Sequence, residues 1–367
     1  MSLPLISLSI LDPLYSLFGW VMQLIYSVFG NYGVAVIIFT VLIRLIILPF
    51  NVKQHKSSIQ QKALQPELAD LQRYYGSDRE GYAQAQMELY KKHGVSLTGG
   101  CLPSLFSLFL MWPIYRIISG PLYFIMQVST ESLSKIAQTL VSAGIVPEAI
   151  MKQNLMHNNI FIIEALNDNP NILADVVNKG LLSAEQLIDM NFLGMNLGLT
   201  PTINFRLLFG EQSSTYLPLL VLPILAFATS VLVMWYTQKV NQVGGLSKEE
   251  RKAQKEKIKK NPALQAESKT DPAANSAKTM MYMMPFLTLI FTFSMPAAMS
   301  IYWVAGNALA IFQTWLFNKI YTEPMAARQA EADKEFEEKI TARAMKEKAE
   351  IEALEAKNQK KKRTRRS

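Results

Sequence analysis

Forty consecutive residues, 279–318, contain no Asp, Glu, Lys, Arg or His. A bilayer core is crossed by about 20 apolar residues of helix. A run twice that length reads as two spans joined by a tight turn, here Ser294-Met295-Pro296-Ala297-Ala298. A soluble core has no need of such a stretch. A strand barrel is excluded too, because its signal is short alternating segments. Half the residues are hydrophobic, yet the mean hydropathy is only +0.13. That average hides two populations, segments almost free of charge and segments dense in Lys, Arg and Glu.

Three further apolar stretches lie at 34–52, 101–122 and 216–238. With the pair in 279–318 they predict an all-α polytopic membrane protein with five transmembrane helices. Ahead of them, 14–29 reads as an interfacial helix rich in aromatics (Tyr15, Phe18, Trp20, Tyr26), ended by the turn Gly30-Asn31-Tyr32-Gly33. The N-terminus lacks the basic and cleavage signals of a signal peptide and is expected to be retained. Lys and Arg outnumber Asp and Glu in 53–100, 239–278 and 319–367, whereas acidic residues dominate the loop 123–215. Basic loops stay in the cytoplasm. The N-terminal segment 1–33 and the loop 123–215 are then extracytoplasmic and the C-terminus is cytoplasmic.

Residues 53–93 are charged and helical in period, with a break at Tyr75-Gly76-Ser77. Apolar stripes from Ile59, Leu64, Leu68 and Leu71, and from Tyr82, Met87, Leu89 and Tyr90, predict a cytoplasmic helical hairpin. The tail carries a charged helix over 325–357. It ends in a block holding Lys360, Lys361, Lys362, Arg363, Arg365 and Arg366. Such blocks bind polyanions; ribosomal RNA and anionic lipid are the candidates, against a solvated tail with no fixed partner.

One charge interrupts the first span. Arg44 is alone in VAVIIFTVLIRLIILPF (34–50). Burying it there costs about 2.5–3.5 kcal/mol even on the gentlest scale, and such residues are functional candidates by default. If the helix leaves the bilayer near Val52, Arg44 is roughly 12 Å deep, too far for easy snorkelling. Thr40 shares its helix face. Ser300, Asn307 and Thr314 recur at heptad spacing in the fifth span with Gln313 beside them, and Ser104 and Ser107 are polar positions early in the second. Singly, such residues are often plain interhelical hydrogen-bonders. A guanidinium has five donors to satisfy, and no Asp or Glu lies in any predicted span. An unpaired cation in a wet cavity suits a transient anionic guest. Met280, Met281, Met283, Met284, Met295 and Met299 add adaptable apolar surface. Arg116, near the far end of the second span, reads as a snorkelling residue. One cysteine, Cys101, and three scattered histidines (His55, His93, His157) build no metal site. No nucleotide loop or catalytic triad pattern is present, so neither an enzyme nor a cofactor is expected.

These residues resemble the YidC/Oxa/Alb membrane protein insertases, in the short form of single-membrane bacteria. The resemblance is carried by Phe39-Thr40-x-x-x-Arg44 with Leu48-Pro49; by Gln65-Pro66-Glu67; by Gly99-Gly100-Cys101-Leu102-Pro103; by Phe192-Leu193-Gly194-Met195-Asn196-Leu197-Gly198; and by Met283-Met284-Pro285 with Tyr302-Trp303-x-x-x-Asn307 and Gln313. It implies five helices around a hydrophilic groove lined by Arg44, Thr40, Ser104, Ser107, Ser300, Trp303, Asn307 and Gln313. In such a groove the arginine attracts acidic residues of a substrate tail, and the apolar segment slides into lipid. Nascent membrane proteins are the implied substrates, the ribosome, the Sec translocon and anionic lipids the partners, and the bacterial plasma membrane the location. No small-molecule substrate is expected. The chain departs from the family in having Ser107-Leu108-Phe109 where Gln-Met-Pro is common, and in the length of its 123–215 loop. An anion or solute transporter, and an assembly factor without insertion activity, are the competing readings.

Overall fold

The computed structural model describes residues 6–76, 78–95, 102–241 and 272–325, with single tail positions as far as 338. The described residues are mostly helical, with one short hairpin of strands. The first helix, α1 (Ile6–Phe29), ends where Gly30 adopts φ 62° and its N–H donates to the Tyr26 carbonyl at 2.7 Å. Only glycine takes this left-handed position without steric cost. Asn31 is extended, and its side-chain oxygen accepts from Val34 N at 3.1 Å, starting α2 (Tyr32–Ile46). A C-terminal glycine followed directly by an N-cap asparagine thus folds α1 back onto α2.

The apolar run expected to continue straight through 34–52 does not do so. It turns by 55° at Ile47, between α2 and α3 (Leu48–Ala63). Pro49 is the physical cause. It has no N–H to give to the carbonyl of Leu45, and its ring clashes with that turn of helix. In the first turn of a new helix a proline is harmless. Beyond α3, α4 (Gln65–Tyr75) and α5 (Arg79–Lys92) fold back on each other around Leu64, Leu68, Tyr90 and Val95. Gly76 at φ 55° ends α4, and Asp78 caps α5 through Gly81 N at 3.0 Å. Midway along α3, His55 Nε2 meets Thr322 Oγ1 at 3.1 Å, which ties this helix to the segment Asn318–Thr322.

After α6 (Leu102–Ser119) and the single turn α7 (Pro121–Phe124), the long loop is a folded cap. It contains α8 (Thr130–Ser142), α9 (Ile160–Asp168), α10 (Pro170–Asn178) and an antiparallel hairpin of β1 (Asn191–Phe192) and β2 (Met195–Asn196). Leu133, Ile136, Leu140, Ile162, Ile163, Leu166 and Val176 are buried in it, in one core continuous with the ends of α1, α2 and α6. Asn159 organises its entry. The side chain is fully buried, accepts from Leu122 N at 3.0 Å and donates to Leu155 O at 3.0 Å. Buried backbone groups need such partners, since an orphan costs about 1–3 kcal/mol.

The chain then passes through α11 (Phe205–Phe209), α12 (Ser213–Leu219), α13 (Val221–Asn241), α14 (Pro272–Thr292) and α15 (Ala297–Phe317). Among the described residues one helix is long and apolar enough to cross a bilayer unaided, Ser213–Val240, and α2 with α3 reaches that length only as a bent pair. The broadest helix contact joins α13 to α15; α14 also packs on α13, and α2 on α15. Their outward faces are apolar: Ile224, Phe286 and Ile290 are each about 60% exposed.

Candidate functional site

The site is built where α2 crosses α15. A side chain at Gly306 would place its Cβ 3.1 Å from Arg44 Nη2, so the guanidinium lies against the glycine's bare backbone. Small residues let helices approach this closely. Arg44 is half-buried, and among the described residues it has no carboxylate partner. Tyr302, one turn before Gly306, is the polar neighbour that feels its charge. A guanidinium has five donors to satisfy, and among the described residues no acidic group neutralises this one.

The other sequence-derived residues fall into different places. Thr40 is buried and donates to the Val36 carbonyl at 2.7 Å, one turn from Arg44. Its hydroxyl proton is thus spent on its own helix. Ser300 is fully buried, and its Oγ has no partner among the described residues. Trp303 and Gln313 are half-buried, and Trp303 packs on the main core. Thr314 closes on its own helix, at 2.8 Å from Ala310 O. Ser104 and Ser107 lie on α6, but their side chains are outside the described residues, as is the whole basic block 360–366.

Asn307 is turned toward α13 and not toward Arg44. Its amide nitrogen donates to Ser230 Oγ at 2.9 Å and Thr229 Oγ1 at 3.0 Å, and approaches Ala226 O at 3.4 Å. It ties α15 to α13, leaving Arg44 and Gly306 on the adjoining face. Thr229, Ser230 and Gly306 were missed by the sequence reading. A signal for them exists in the clusters of small residues Ala226-Phe227-Ala228-Thr229-Ser230 and Ala305-Gly306, which favour close helix crossings.

The cap is bonded to one end of this assembly. Tyr32 Oη donates to Ile118 O at 3.0 Å, joining α2 to α6. Asn31 Nδ2 donates to Asn191 O at 3.1 Å, and the Phe192 ring lies against Gly33, where a Cβ would sit 2.4 Å from it. Ala297 N and Ala298 N donate to Leu199 O and Leu197 O at 2.9 and 3.0 Å. These are first-turn N–H groups of α15, which have no acceptor within their own helix.

The family model described as 60Kd inner membrane protein matches residues 24–324. A protein of Caldanaerobacter subterraneus subsp. tengcongensis named Membrane protein insertase YidC is 37% identical over 100 residues, 27% of this chain and 48% of the relative. Proteins of the same name from Xanthomonas oryzae pv. oryzae and Oleidesulfovibrio alaskensis are 39% and 42% identical over 99 and 95 residues, covering 17% and 18% of those relatives. The matched stretch therefore spans under half of the first relative and under a fifth of the other two. The family match itself takes in α2, the cap and α11 to α15 together, and the chain belongs to the 60Kd inner membrane protein family, the family of YidC.

Proposed function

We propose that this chain is a membrane protein insertase and chaperone, which moves apolar segments of nascent proteins from the cytoplasm into the bilayer. In this reading α2, α6, α13, α14 and α15 are five spans around a hydrophilic groove, the cap is extracytoplasmic and the C-terminus cytoplasmic. The observation that carries it is Arg44 against Gly306, without a carboxylate partner among the described residues, within helices whose outward faces are apolar. The relatives' name supports it. An acidic residue in a substrate's leading tail is drawn to the guanidinium. The apolar segment behind it then leaves sideways into lipid, and the wet groove shortens the path over which polar backbone crosses hydrocarbon. Bonding of the cap to the α15 N-terminus supports a groove closed on that side. The role of the tail at 360–366 as a ribosome or anionic-lipid contact, and any cooperation with the Sec translocon, belong to the same proposal.

Purified protein in liposomes, given a one-span substrate with an acidic leading tail, tests it. Wild type should insert the substrate. Arg44→Ala should insert little, and Arg44→Lys should keep much of the activity, because attraction at a distance needs the charge more than the forked geometry. Normal insertion by a stably folded Arg44→Ala protein would reject the role of the arginine. Wild type that inserts nothing, while remaining folded, leaves an assembly factor as the better reading.

A further inference from the structure

The cap buries its apolar residues except along one rim. Leu193, Ile203, Phe205 and Phe209 are 82%, 72%, 77% and 71% exposed. Phe205 and Phe209 are one helical turn apart on α11, with their rings stacked at 5.8 Å. Asn204 caps this turn by accepting from Arg206 N at 3.0 Å, which fixes where the two rings project. Leu193 occupies the tip of the β1–β2 hairpin with φ 53°, a left-handed conformation that is uncommon for a residue with a branched side chain. Between 191 and 209 the single charge is Arg206. Elsewhere the cap surface is ordinary for a solvated domain, with ion pairs such as Lys135–Glu131 and Lys179–Asp175. Strongly exposed apolar side chains gathered within one short stretch of such a domain, 193–209, mark a contact surface.

The position of the rim identifies what it touches. α11 ends at Phe209, and the long apolar helix Ser213–Val240 begins four residues later. Three intervening residues span at most about 14 Å. β2 packs against α12, the first part of that helix. In that topology the hairpin and α11 flank the level at which α12 and α13 enter the hydrocarbon, where Val221 and Ile224 are themselves exposed. We propose that Leu193, Ile203, Phe205 and Phe209 rest in the headgroup layer of the leaflet on the cap's side, as an interfacial anchor that seats the cap on the membrane. Aromatic rings are suited to that layer. Arg206, between them, meets lipid phosphates. The proposal rests on α13 spanning the bilayer.

Nitroxide labels on Phe205→Cys, Phe209→Cys and Leu193→Cys, in a Cys101→Ala background, test it in liposomes of phosphatidylcholine and phosphatidylglycerol containing no other protein. Relaxation by oxygen reports lipid, and relaxation by a water-soluble nickel chelate reports water. Ser142→Cys on the exposed end of α8 gives the aqueous reference, and Leu232→Cys within α13 the hydrocarbon reference. The rim labels should show an oxygen-to-nickel ratio several-fold above Ser142 and below Leu232. Rim labels as accessible to nickel as Ser142, with Leu232 still in hydrocarbon, overturn the anchor and leave a protein partner as the occupant. A Leu232 label in water overturns the spanning of α13, and the anchor with it.

Discussion

The cap and the α13–α15 bundle use the same kinds of residue in opposite places. In the cap Leu133, Ile136 and Leu166 are fully buried, and ion pairs lie outside. In the bundle Ile224, Phe286 and Ile290 face outward, and Asn307, Thr229, Ser230 and Arg44 lie between helices. The difference teaches which solvent each region is built for. Water drives apolar side chains inward, whereas lipid offers no such drive and leaves close packing and hydrogen bonds to join helices. It also teaches that a lost hydrogen bond has different consequences in the two regions.

The largest effect is expected at Asn159. Asn159→Leu leaves Leu122 N and Leu155 O without their partner, at about 1–3 kcal/mol for each buried group. The cap should lose its cooperative unfolding transition or melt far earlier, as read by hydrogen exchange over 120–200. Unchanged protection there would mean that the cap is not organised like a water-soluble domain.

Two titratable groups sharpen the contrast next. Burial and then nearby Asp168 raise the Glu164 carboxyl to about 7, and burial and then Arg116 lower the His157 imidazole to about 4. From about pH 4.5 to 6.5 the unfolded chain protonates His157 and not Glu164, and the folded cap does the reverse. The proton counts match, so the two contributions cancel in the wild type. Glu164→Gln should expose the His157 contribution, with stability falling as pH drops from 6.5 toward 4. His157→Gln should expose the opposite, with stability falling as pH rises from 4.5 through 7, by up to about 1.4 kcal/mol per pH unit. The half-buried imidazole gives the shallower slope. Unfolding midpoints across pH 4–8 check the signs; two variants sloping the same way would refute the pairing.

The smallest effect is expected at Asn307. Interhelical hydrogen bonds in membranes average about 0.6 kcal/mol and reach about 1.7. Asn307→Ala should therefore shift unfolding in mixed detergent micelles only slightly, despite its two hydroxyl partners. A loss as large as that of Asn159→Leu would break the comparison.

Much of this was legible in residue patterns. The uncharged 279–318 stretch and the lone Arg44 are local facts of composition, and neither needs a partner to be recognised. The bend at Ile47 was written in Leu48-Pro49, yet the apolar run masked it, because hydropathy is blind to direction. The heptad spacing put Ser300, Asn307 and Thr314 on one helix, and α15 contains all three. It could not say that Asn307 meets α13 while Thr314 bonds the Ala310 carbonyl of its own helix, since that depends on how helices cross. Asn159 gave no signal at all. Its role comes from a backbone N–H 37 positions away, brought near only by the folded cap.

The two bonds from the first turn of α15 to the carbonyls of Leu197 and Leu199 have a mechanical consequence. They fix one end of a 21-residue rod. A rod of that length is about 30 Å, so tilting it by about 10° about the fixed end moves the free end by about 5 Å. Arg44 faces Gly306, in the middle of the rod, and feels about half of that travel. The fulcrum makes α15 a lever: any tilt displaces most the end remote from the cap and least the end bonded to it.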